Sequence, residues 1–368
     1  PIQELTHGVT VTDAWMKDMI DGDTEKRTIW AKILQRRSQM GYPYILFTDN
    51  VNKGTVDVYK DKNLRIYSSN LCSEVLLPTT PDWSLVCDLS SMNLLHYDAW
   101  KNTDAVYWAT VFLDCVASEF IERATDIPGL EKAVAFTRKG RALGLGQCGL
   151  HTLFMQKMLP FESFEAHRLS QEIASHIARQ SYEASRDMAE ALGEPEWMKG
   201  YGLRNTHRIA IAPTKQTALI MGGVSEGINP DPAMTYTQLT AAGEIDRINP
   251  VLLEHMKAKG VYSRKNIQEI IDKQGSVQHV EWLTDEEKEV FKTAFEINQK
   301  AIIRMASARG MFVDQWMSLN LFFAADEDPI WISEVHREAF EDKNILALYY
   351  IYTQAGVQAS KGECEACQ

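Results

Sequence analysis

Two long stretches of the chain alternate apolar and polar residues with the period of an amphipathic helix. One covers residues 104–124, and the other runs from about Phe164 to Leu192, where Gly193 ends it. Because a helix places residues three and four apart on one face, the recurring apolar positions predict a buried stripe. The stripe of the second helix consists of Leu169, Ile173, Ile177, Ala184, Met188 and Leu192.

Shorter apolar runs predict strands among further helices. Residues 10–42 have helical periodicity up to "GYPY", and the following "ILFTDNV" is typical of a buried strand. The pattern predicts mostly helix over residues 239–300, and a helix followed by a short strand for "QKAIIRMASARGMFVDQWMSLNLFFA". Residues 330–353 predict another helix, which contains "LALYYIYTQ". Helices that alternate with short strands predict the α/β fold class.

Composition and charge exclude several kinds of partner. The chain has 368 residues, of which 45% are hydrophobic, and a formal net charge of −12. Such an acidic chain lacks the concentrated positive surface that nucleic-acid binding requires. No apolar run is long enough to cross a bilayer and no secretory signal is visible, so we expect a cytoplasmic protein without a membrane partner.

Cysteine and histidine usage points to free thiols rather than to disulfides or metal. In a large chain without a secretory signal we expect thiols, and the nine histidines form no HxxxH pair, so no metal site is expected. Cys115 falls among the apolar positions of the first helix and is predicted to serve packing. The six cysteines are Cys72, Cys87, Cys115, Cys148, Cys364 and Cys367.

The segment "SNLCSEVLLP" combines three functional groups. Asn70, Cys72 and Glu74 are two residues apart, so on an extended strand they project from one face. A carboxylate near a thiol raises the pKa of that thiol and disfavours the nucleophilic thiolate. A protonated thiol suits hydrogen-atom chemistry, with the carboxylate as a base for a substrate hydroxyl and the amide as an anchor. The alternative is a half-buried strand with an incidental cysteine.

The segment "GLGQCG" matches the GxGxxG pattern of dinucleotide sites. Such a site needs its glycines directly after a buried strand, whereas the basic and polar "TRKGRAL" precedes them here. We therefore interpret Gly144 to Gly149 as small residues that let a helix pack closely, with Cys148 filling space.

The segment "IAPTKQTA" predicts a strand that ends at Pro213 and a helix that begins near Thr214. The exposed N–H groups of a helix start, together with Thr214, Thr217 and Lys215, suit a bound phosphate. An ordinary helix cap explains the same residues equally well.

Two features near the C-terminus have redox and ordinary interpretations. Tyr349 and Tyr350 either pack as core aromatics or form a contacting pair of redox-active phenols. The final "CEAC" lacks the second ligand pair of a zinc site and the strand–helix setting of a thioredoxin motif. It is either an inert tail or a flexible dithiol, and the eleven residues from Thr353 to Cys364 reach about 35 Å when extended.

In their order along the chain, these motifs resemble those of the catalytic (large, alpha) subunit of class I ribonucleotide reductase. The order is "NLCSE", "LVCDLSSMNL", "GLRN" with its Pro-led helix start, "FVDQWMSLN", "LYY" and the terminal cysteine pair. The resemblance covers the whole chain but only the C-terminal half of that subunit. It implies the second half of a ten-stranded α/β barrel in residues 1–353, with a finger loop around Cys72, and a flexible redox-shuttle tail in residues 354–368.

The resemblance implies the radical-based reduction of a ribonucleoside diphosphate to a 2′-deoxyribonucleotide. Cys72 would form the thiyl radical that removes the ribose 3′ hydrogen, Glu74 would be the base on the 3′ hydroxyl, and Asn70 would bind the substrate. Cys87 would be one of two thiols that reduce the 2′ position. The substrate diphosphate would bind at Pro213, Thr214, Lys215, Gln216, Thr217 and Ala218.

The resemblance also implies partners. Tyr349 and Tyr350 would relay the radical from a small (beta) subunit. The chemistry would depend on the tyrosyl radical and dimetal centre of that subunit, and this chain would bind no cofactor directly. Cys364 and Cys367 would re-reduce the active-site disulfide, with thioredoxin or glutaredoxin as the external reductant.

The chain departs from the family pattern in its thiol count. The chemistry requires two reducing cysteines besides the radical and shuttle cysteines, but this chain supplies only Cys87, because Cys115 and Cys148 lie in predicted packing positions. Smaller departures are Ala218 in place of a hydroxyl residue, Lys215 in the phosphate turn, and Asn229 where we expect Glu. We therefore expect a split catalytic subunit, inactive without a separate chain that supplies the N-terminal half and without the small subunit.

Two alternatives fit part of the sequence. A glycyl-radical-type barrel enzyme carries its radical on a C-terminal glycine, and the tyrosine pair and terminal thiols argue against it. An inactive or assembly-only fragment needs no complete catalytic set, whereas Asn70, Cys72, Glu74 and Cys87 are all present.

Overall fold

The computed structural model describes residues 5–240 and 243–354, which contain both helices and short strands. The strands in these residues are β1 (Gly8–Val11), β2 (Tyr44–Phe47), β3 (Leu89–Asn93), β4 (Gly144–Cys148), β5 (Thr235–Thr240), β6 (Gly243–Ile248), β7 (Leu321–Phe323), β8 (Ala347–Leu348) and β9 (Ile351–Thr353). The helices are α1 (Asp13–Asp21), α2 (Thr24–Met40), α3 (Thr48–Gly54), α4 (Asp57–Asp61), α5 (Tyr97–Trp100), α6 (Ala105–Ala124), α7 (Glu131–Gly140), α8 (Leu150–Gln156), α9 (Phe164–Leu192), α10 (Lys215–Ile220), α11 (Pro250–Ala258), α12 (Arg264–Asp272), α13 (Asp285–Val290), α14 (Gln299–Gly310) and α15 (Pro329–Glu341). The predicted α/β class is confirmed.

Backbone hydrogen bonds join the extended segments into one open run. β1 pairs parallel with β2, whose other edge pairs antiparallel with β8, and β9 pairs parallel with β7. Just before β7, Met317 forms a parallel bridge with Ile211. Leu143 N donates to His207 O, which links that segment to β4, and β4 pairs parallel with β3. Within the described residues the run does not close, as expected for half of a barrel.

The main apolar core lies between this run of strands and the helices packed on it. α9 contacts both α6 and α14, and α2 contacts β9. Ser163 caps the start of α9, where its hydroxyl accepts from Ala166 N, and Gly193 ends the helix with φ 83°. A second apolar cluster, which includes Met234, Leu252 and Ile270, involves the hairpin β5–β6 and helices α11 and α12. No helix in the described part of the chain is long and apolar enough to span a membrane.

Several predicted elements are confirmed. The first amphipathic stretch is α6 and the second is α9, with the predicted end at Gly193. The helix and short strand predicted for the "QKAIIRMASARG" region are α14 and β7. The buried strand predicted after "GYPY" is β2, all of whose residues are buried.

Other predictions were wrong. The helix predicted over residues 330–353 ends at Glu341, and its remainder forms β8 and β9. The region predicted as mostly helical from residue 239 begins with the hairpin β5–β6. For β8 and β9, tertiary pairing overrides the local helical pattern, because their partners β2 and β7 lie elsewhere in the chain. β5 and β6 instead pair with each other.

The two packing predictions for cysteine gave opposite outcomes. Cys148 is fully buried, as expected, but on a strand: "GLGQC" is β4, where a Cβ on Gly146 would lie 2.7 Å from Ala210 O. The glycines therefore let strands approach closely rather than helices, and the helix interpretation was wrong. Cys115 is exposed, so its predicted core position was wrong, because α6 buries Val106, Leu113 and their neighbours on the opposite face.

Candidate active site

The segment that holds Asn70, Cys72 and Glu74 is a turn rather than a strand. Asn70 N donates to Val75 O (3.2 Å), and Asn70 Oδ1 accepts from Val75 N (3.0 Å). Ser73 has φ 69°, a left-handed conformation that reverses the chain. The predicted extended geometry was therefore wrong, but the turn still brings the Asn70 and Glu74 side chains into hydrogen-bonding contact.

Glu74 is held in a buried setting. Its side chain is 1% exposed, and this burial raises the pKa of the Glu74 carboxyl above its ordinary value, although hydrogen bonds from Asn70 and Ser318 oppose the rise. Ser318 Oγ lies 3.1 Å from Glu74 Oε2 and 2.7 Å from Cys72 O, so its single proton is shared between the two acceptors. A raised carboxyl pKa suits a group that must both take and return a proton.

The finger loop, residues 66–77, is anchored on the segment that precedes β7. Trp316 N donates to Glu74 O (3.0 Å), and Gln315 Oε1 accepts from Leu76 N (3.2 Å). Gln315 in turn donates to Leu143 O (2.8 Å), at the start of β4. These residues belong to "FVDQWMSLN", so this motif supplies the support of the finger loop, a role that the sequence did not indicate.

Cys87 lies beside the Asn70–Glu74 pair. Its thiol is exposed, yet the surrounding protein partly desolvates it, and this raises the pKa of Cys87. The negative charge of Glu74 raises the same pKa further, while a hydrogen bond with Asn70 lowers it. The Glu74 carboxyl and the Cys87 thiol, which are 13 residues apart in sequence, are thus brought together beside Asn70.

Tyr349 and Tyr350 form a contacting pair next to Cys72. They lie between β8 and β9, not on a helix, and their ring centroids are 4.4 Å apart. Tyr349 is 3% exposed and hydrogen-bonds with the Cys72 thiol. Burial, followed by the neighbouring Cys72, raises the pKa of the Tyr349 phenol well above its ordinary range, so the phenol stays protonated.

Three residues around this pair were missed by the sequence analysis. The Tyr44 ring lies 4.7 Å from that of Tyr349 and 5.1 Å from that of Tyr350, and burial raises the pKa of Tyr44 as well. Arg37 is fully buried and donates from Nη2 to Tyr349 O (3.1 Å), and burial lowers the pKa of its guanidinium to about 9. The Tyr352 ring lies 5.5 Å from that of Tyr350. No local motif marks Tyr44 or Arg37, since both lie about 300 residues from the tyrosine pair.

The predicted phosphate loop has the expected helix start. Thr214 takes the left-handed φ 53° directly before α10, and its Oγ1 accepts from Gly227 N (2.9 Å). Lys215, Gln216 and Thr217 are exposed, whereas Ala218 is buried against Cys148. Burial raises the pKa of Glu226, and the nearby Lys215 lowers it. The first-turn N–H groups and the exposed side chains form a polar cradle, in which Glu226 partly offsets the charge of Lys215.

The phosphate loop and the finger loop meet at Ser318. Only Ala212 separates Ile211 from Pro213 and Thr214, and Ile211 pairs with Met317, the neighbour of Ser318. Asn229, on the turn after the phosphate loop, donates to Ser318 O (3.0 Å) and accepts from Asn320 N (3.0 Å). Asn229 therefore ties the turn after the phosphate loop to the segment that holds Ser318, by hydrogen bonds that a glutamate could not make in full, since a carboxylate has no N–H to donate.

A cavity of about 270 Å³ opens beside the finger loop. Asn70, Leu71 and Ser73 line it from the loop, and residues of β1 and β2 line its other side. No group of three or more histidine, cysteine or acidic side chains in the described ranges is arranged to hold a metal ion. Cys364 and Cys367 lie outside the described residues.

Comparison with known proteins decides the family. The family model "Ribonucleotide reductase, barrel domain" matches residues 4–200 and 195–351. The chain belongs to the ribonucleotide reductase barrel-domain family. Within this family it is 36% identical to the putative ribonucleoside-diphosphate reductase large subunit of Frog virus 3 (isolate Goorha), over 99% of this chain and 69% of that protein. It is 34% identical to the ribonucleoside-diphosphate reductase large subunit of Invertebrate iridescent virus 3, over 94% of this chain and 56% of that protein.

A solved ribonucleotide reductase has the same fold. The class Id ribonucleotide reductase alpha subunit of Actinobacillus ureae is 40% identical to this chain and superimposes with a TM-score of 0.89 over 95% of it. The chain covers 65% of that structure, so relatives in this reductase family extend well beyond the matched region.

Proposed function

We propose that this chain provides the catalytic part of a ribonucleoside-diphosphate reductase large subunit, which reduces ribonucleotides to 2′-deoxyribonucleotides by a thiyl-radical mechanism. The observation that carries the proposal is the position of Cys72 between two groups of residues. On one side the Cys72 thiol contacts the Tyr349–Tyr350 pair. On the other, the turn that holds Cys72 carries the interacting Asn70 and Glu74, with Cys87 beside them.

Radical transfer to Cys72 requires a proton and an electron to move together. Burial opposes the phenolate of Tyr349, and the buried guanidinium of Arg37, which donates to Tyr349 O, opposes a phenol that has lost only its electron. Tyr349 therefore exchanges a neutral hydrogen atom with the Cys72 thiol in its hydrogen-bonding contact. Tyr350, whose ring contacts that of Tyr349, passes the radical on from the radical-generating small subunit.

At the substrate, each side chain has one task. The Cys72 radical takes the 3′ hydrogen atom of the ribose, Glu74 takes the proton of the 3′ hydroxyl, and Asn70 holds the sugar. Replacing the 2′ hydroxyl by hydrogen consumes two electrons and two protons and releases water. Two thiols supply them and become a disulfide, and Cys87 is one of these thiols. The 3′ hydrogen then returns from Cys72, which regenerates the radical.

The substrate phosphates bind at the start of α10. Pro213 and Thr214 shape the turn, the exposed Lys215, Gln216 and Thr217 present polar groups, and the helix dipole favours an anion there. Because Ser318 and Asn229 connect this loop with the finger loop, the phosphates and the sugar are held in a fixed relation.

Three further proteins complete the reaction. A separate chain supplies the N-terminal half and the second reducing thiol. Two observations support this: β1 has one unpaired edge among the described strands, and Tyr67 and Leu71 of the finger-loop region are 63% and 53% exposed. A small subunit supplies the radical from its dimetal centre. We further propose that thioredoxin or glutaredoxin re-reduces the tail cysteines Cys364 and Cys367, and that the enzyme works in the cytoplasm.

Reduction of labelled cytidine diphosphate tests the proposal. The assay contains this chain, the small subunit and a dithiol, with or without the polypeptide encoded immediately upstream. We expect deoxycytidine diphosphate only when all components are present. Full activity without the upstream polypeptide would refute the split arrangement, and no activity in any mixture would refute the proposed catalysis.

A further inference from the structure

The phosphate loop, residues 213–218, packs against a second loop that follows α10. Gly227 N in this second loop donates to Thr214 Oγ1 (2.9 Å). A Cβ on Gly227 would lie only 2.7 Å from Ala212 O, so no larger residue fits there. The backbones of the two loops therefore touch at Gly227, and the side chain directly beside this contact is that of Glu226.

Glu226 has a fixed backbone and a carboxyl near Lys215. Glu226 O accepts from Asn229 N (2.9 Å), and the hydroxyl of the preceding Ser225 accepts from His151 N (3.1 Å), so the chain is held on both sides of Glu226. The Glu226 side chain is half-buried, and burial raises the pKa of its carboxyl, while the charge of Lys215 lowers that pKa. A carboxyl of the second loop thus lies within electrostatic range of the lysine of the phosphate loop.

Asp231, the next acid along the chain, is engaged elsewhere. Its carboxyl accepts from Asn249 Nδ2 (2.8 Å), just before α11. Burial, together with the charge of Glu226, raises the pKa of Asp231 to about 7, although the Asn249 hydrogen bond lowers it. Lys215 shifts the pKa of Glu226 but not that of Asp231, so Glu226 is the acid closer to the phosphate loop.

The hairpin β5–β6 adds one phenol and one cation to this surface. Burial, followed by the charge of Glu226, raises the pKa of the Tyr236 phenol, which therefore stays neutral. Arg247 is the partner of Tyr236 across the hairpin and lowers the same pKa, as does Lys215. Among the described residues, the two cations of this surface are thus matched by two acids, which leaves no surplus positive charge.

Each phosphate group of a nucleotide bound at the phosphate loop is repelled by the Glu226 carboxylate. At neutral pH a terminal phosphate carries about two negative charges and an internal one about one, so a triphosphate has about one charge more than a diphosphate. At an effective dielectric constant of about 20, one further unit charge about 10 Å from a carboxylate weakens binding roughly tenfold. Lys215 attracts every phosphate and so acts in the opposite direction.

We propose that Glu226 is a specificity-determining residue, which makes this site select nucleoside diphosphates against nucleoside triphosphates by repelling the charge of a third phosphate. This role rests on the proposed function, since the phosphate chain must bind at the phosphate loop, and it assigns the choice of chain length to one side chain. The lysine at position 215, a departure from the family pattern, is thereby compensated. Glu226 has no part in the radical chemistry, so its effect lies in substrate binding.

Relative reduction of two substrates tests this role. The complete mixture is given labelled cytidine diphosphate or cytidine triphosphate, with the unsubstituted chain or with Glu226→Gln, which keeps the shape of the side chain and removes its charge. At pH 8 we expect kcat/KM for the triphosphate, relative to that for the diphosphate, to rise about tenfold in Glu226→Gln, through KM. Because the pKa of Glu226 is raised, its carboxyl loses its charge as the pH falls, so the two chains should differ less at pH 6.

Glu226→Asp is the matched control, because it keeps the charge and should keep the preference. Lys215→Gln should move the ratio the opposite way, and circular dichroism checks that each variant is folded. Equilibrium dialysis of the same nucleotides against the complete mixture should show the same shift in relative affinity without turnover. An equal change for both nucleotides in Glu226→Gln, or a ratio that moves the same way in Lys215→Gln, would overturn the proposal. A shift in dialysis without any reduction of cytidine diphosphate would refute the proposed catalysis instead.

Discussion

Replacement of Ser318 by alanine should shift the pH dependence of turnover through Glu74. The Ser318 hydroxyl lies 3.1 Å from Glu74 Oε2 and 2.7 Å from Cys72 O. A hydrogen bond to a charged group is worth about 1.5–3 kcal/mol, and 1.36 kcal/mol corresponds to about one pKa unit. Because the proton is shared with Cys72 O, we expect about half of this effect, which raises the pKa of Glu74 by about one unit.

The sign follows from the role of Glu74 as a base. Burial already raises the pKa of Glu74, and loss of the Ser318 hydrogen bond raises it further. The acid limb of the kcat/KM profile should therefore move about one pH unit higher. On the acid side of that limb, the rate of Ser318→Ala should be about tenfold below that of the unsubstituted chain, and at high pH the two rates should nearly agree.

The assay is the pH profile of labelled cytidine diphosphate reduction in the complete mixture. Ser73→Ala is the control, because Ser73 is a buried serine of the same turn whose hydroxyl has no hydrogen-bond partner within the described residues. Its profile should not shift. A loss of rate in Ser318→Ala that is equal at every pH would show that Ser318 acts through the loop backbone, and would refute the electrostatic argument.

Three further changes have defined outcomes. Gly41→Ala should destabilise the chain and block radical transfer, because Gly41 has φ 83° and an added Cβ would lie 2.9 Å from the Tyr350 ring. Gly200→Ala is the control: Gly200 has φ 89° and an added Cβ would have no atom within 4 Å, so the substitution should lower the free energy of unfolding in urea by only about 1 kcal/mol. Burial raises the pKa of Asp88 to about 7, so the free energy of unfolding falls as the pH rises from about 4 to 7. Asp88→Asn should therefore raise the free energy of unfolding by about 1–2 kcal/mol at pH 8 but not at pH 4, as urea titration would measure. Tyr349→Phe should abolish reduction yet change the free energy of unfolding by less than about 1 kcal/mol, as calorimetry would measure.

Elements with strong local signals were predictable from the sequence. α6 and α9 follow from apolar periodicity and end signals, which depend only on neighbouring residues. β4 was missed because glycines replace the branched residues that mark strands, and they do so to admit the backbone of Ala210. The strands around Tyr349 were missed because their pairing partners lie in β2 and β7.

The candidate site was predictable in its residue types but not in its geometry. The motif around Cys72 indicated an amide, a thiol and an acid acting together, yet the turn at Ser73, not an extended strand, arranges them. The surrounding Tyr44 and Arg37 come from distant segments that no local pattern marks, and the motif that holds Ser318 did not reveal its contact with Glu74.

The most direct test of the central claim compares two cysteine variants in the complete reduction assay. Cys72→Ser removes the proposed radical thiol, and Cys115→Ser removes an exposed thiol on the far face of α6. We predict no deoxycytidine diphosphate from Cys72→Ser and an unchanged rate from Cys115→Ser, with both proteins folded by circular dichroism. A Cys72→Ser chain that still supports reduction would contradict the account.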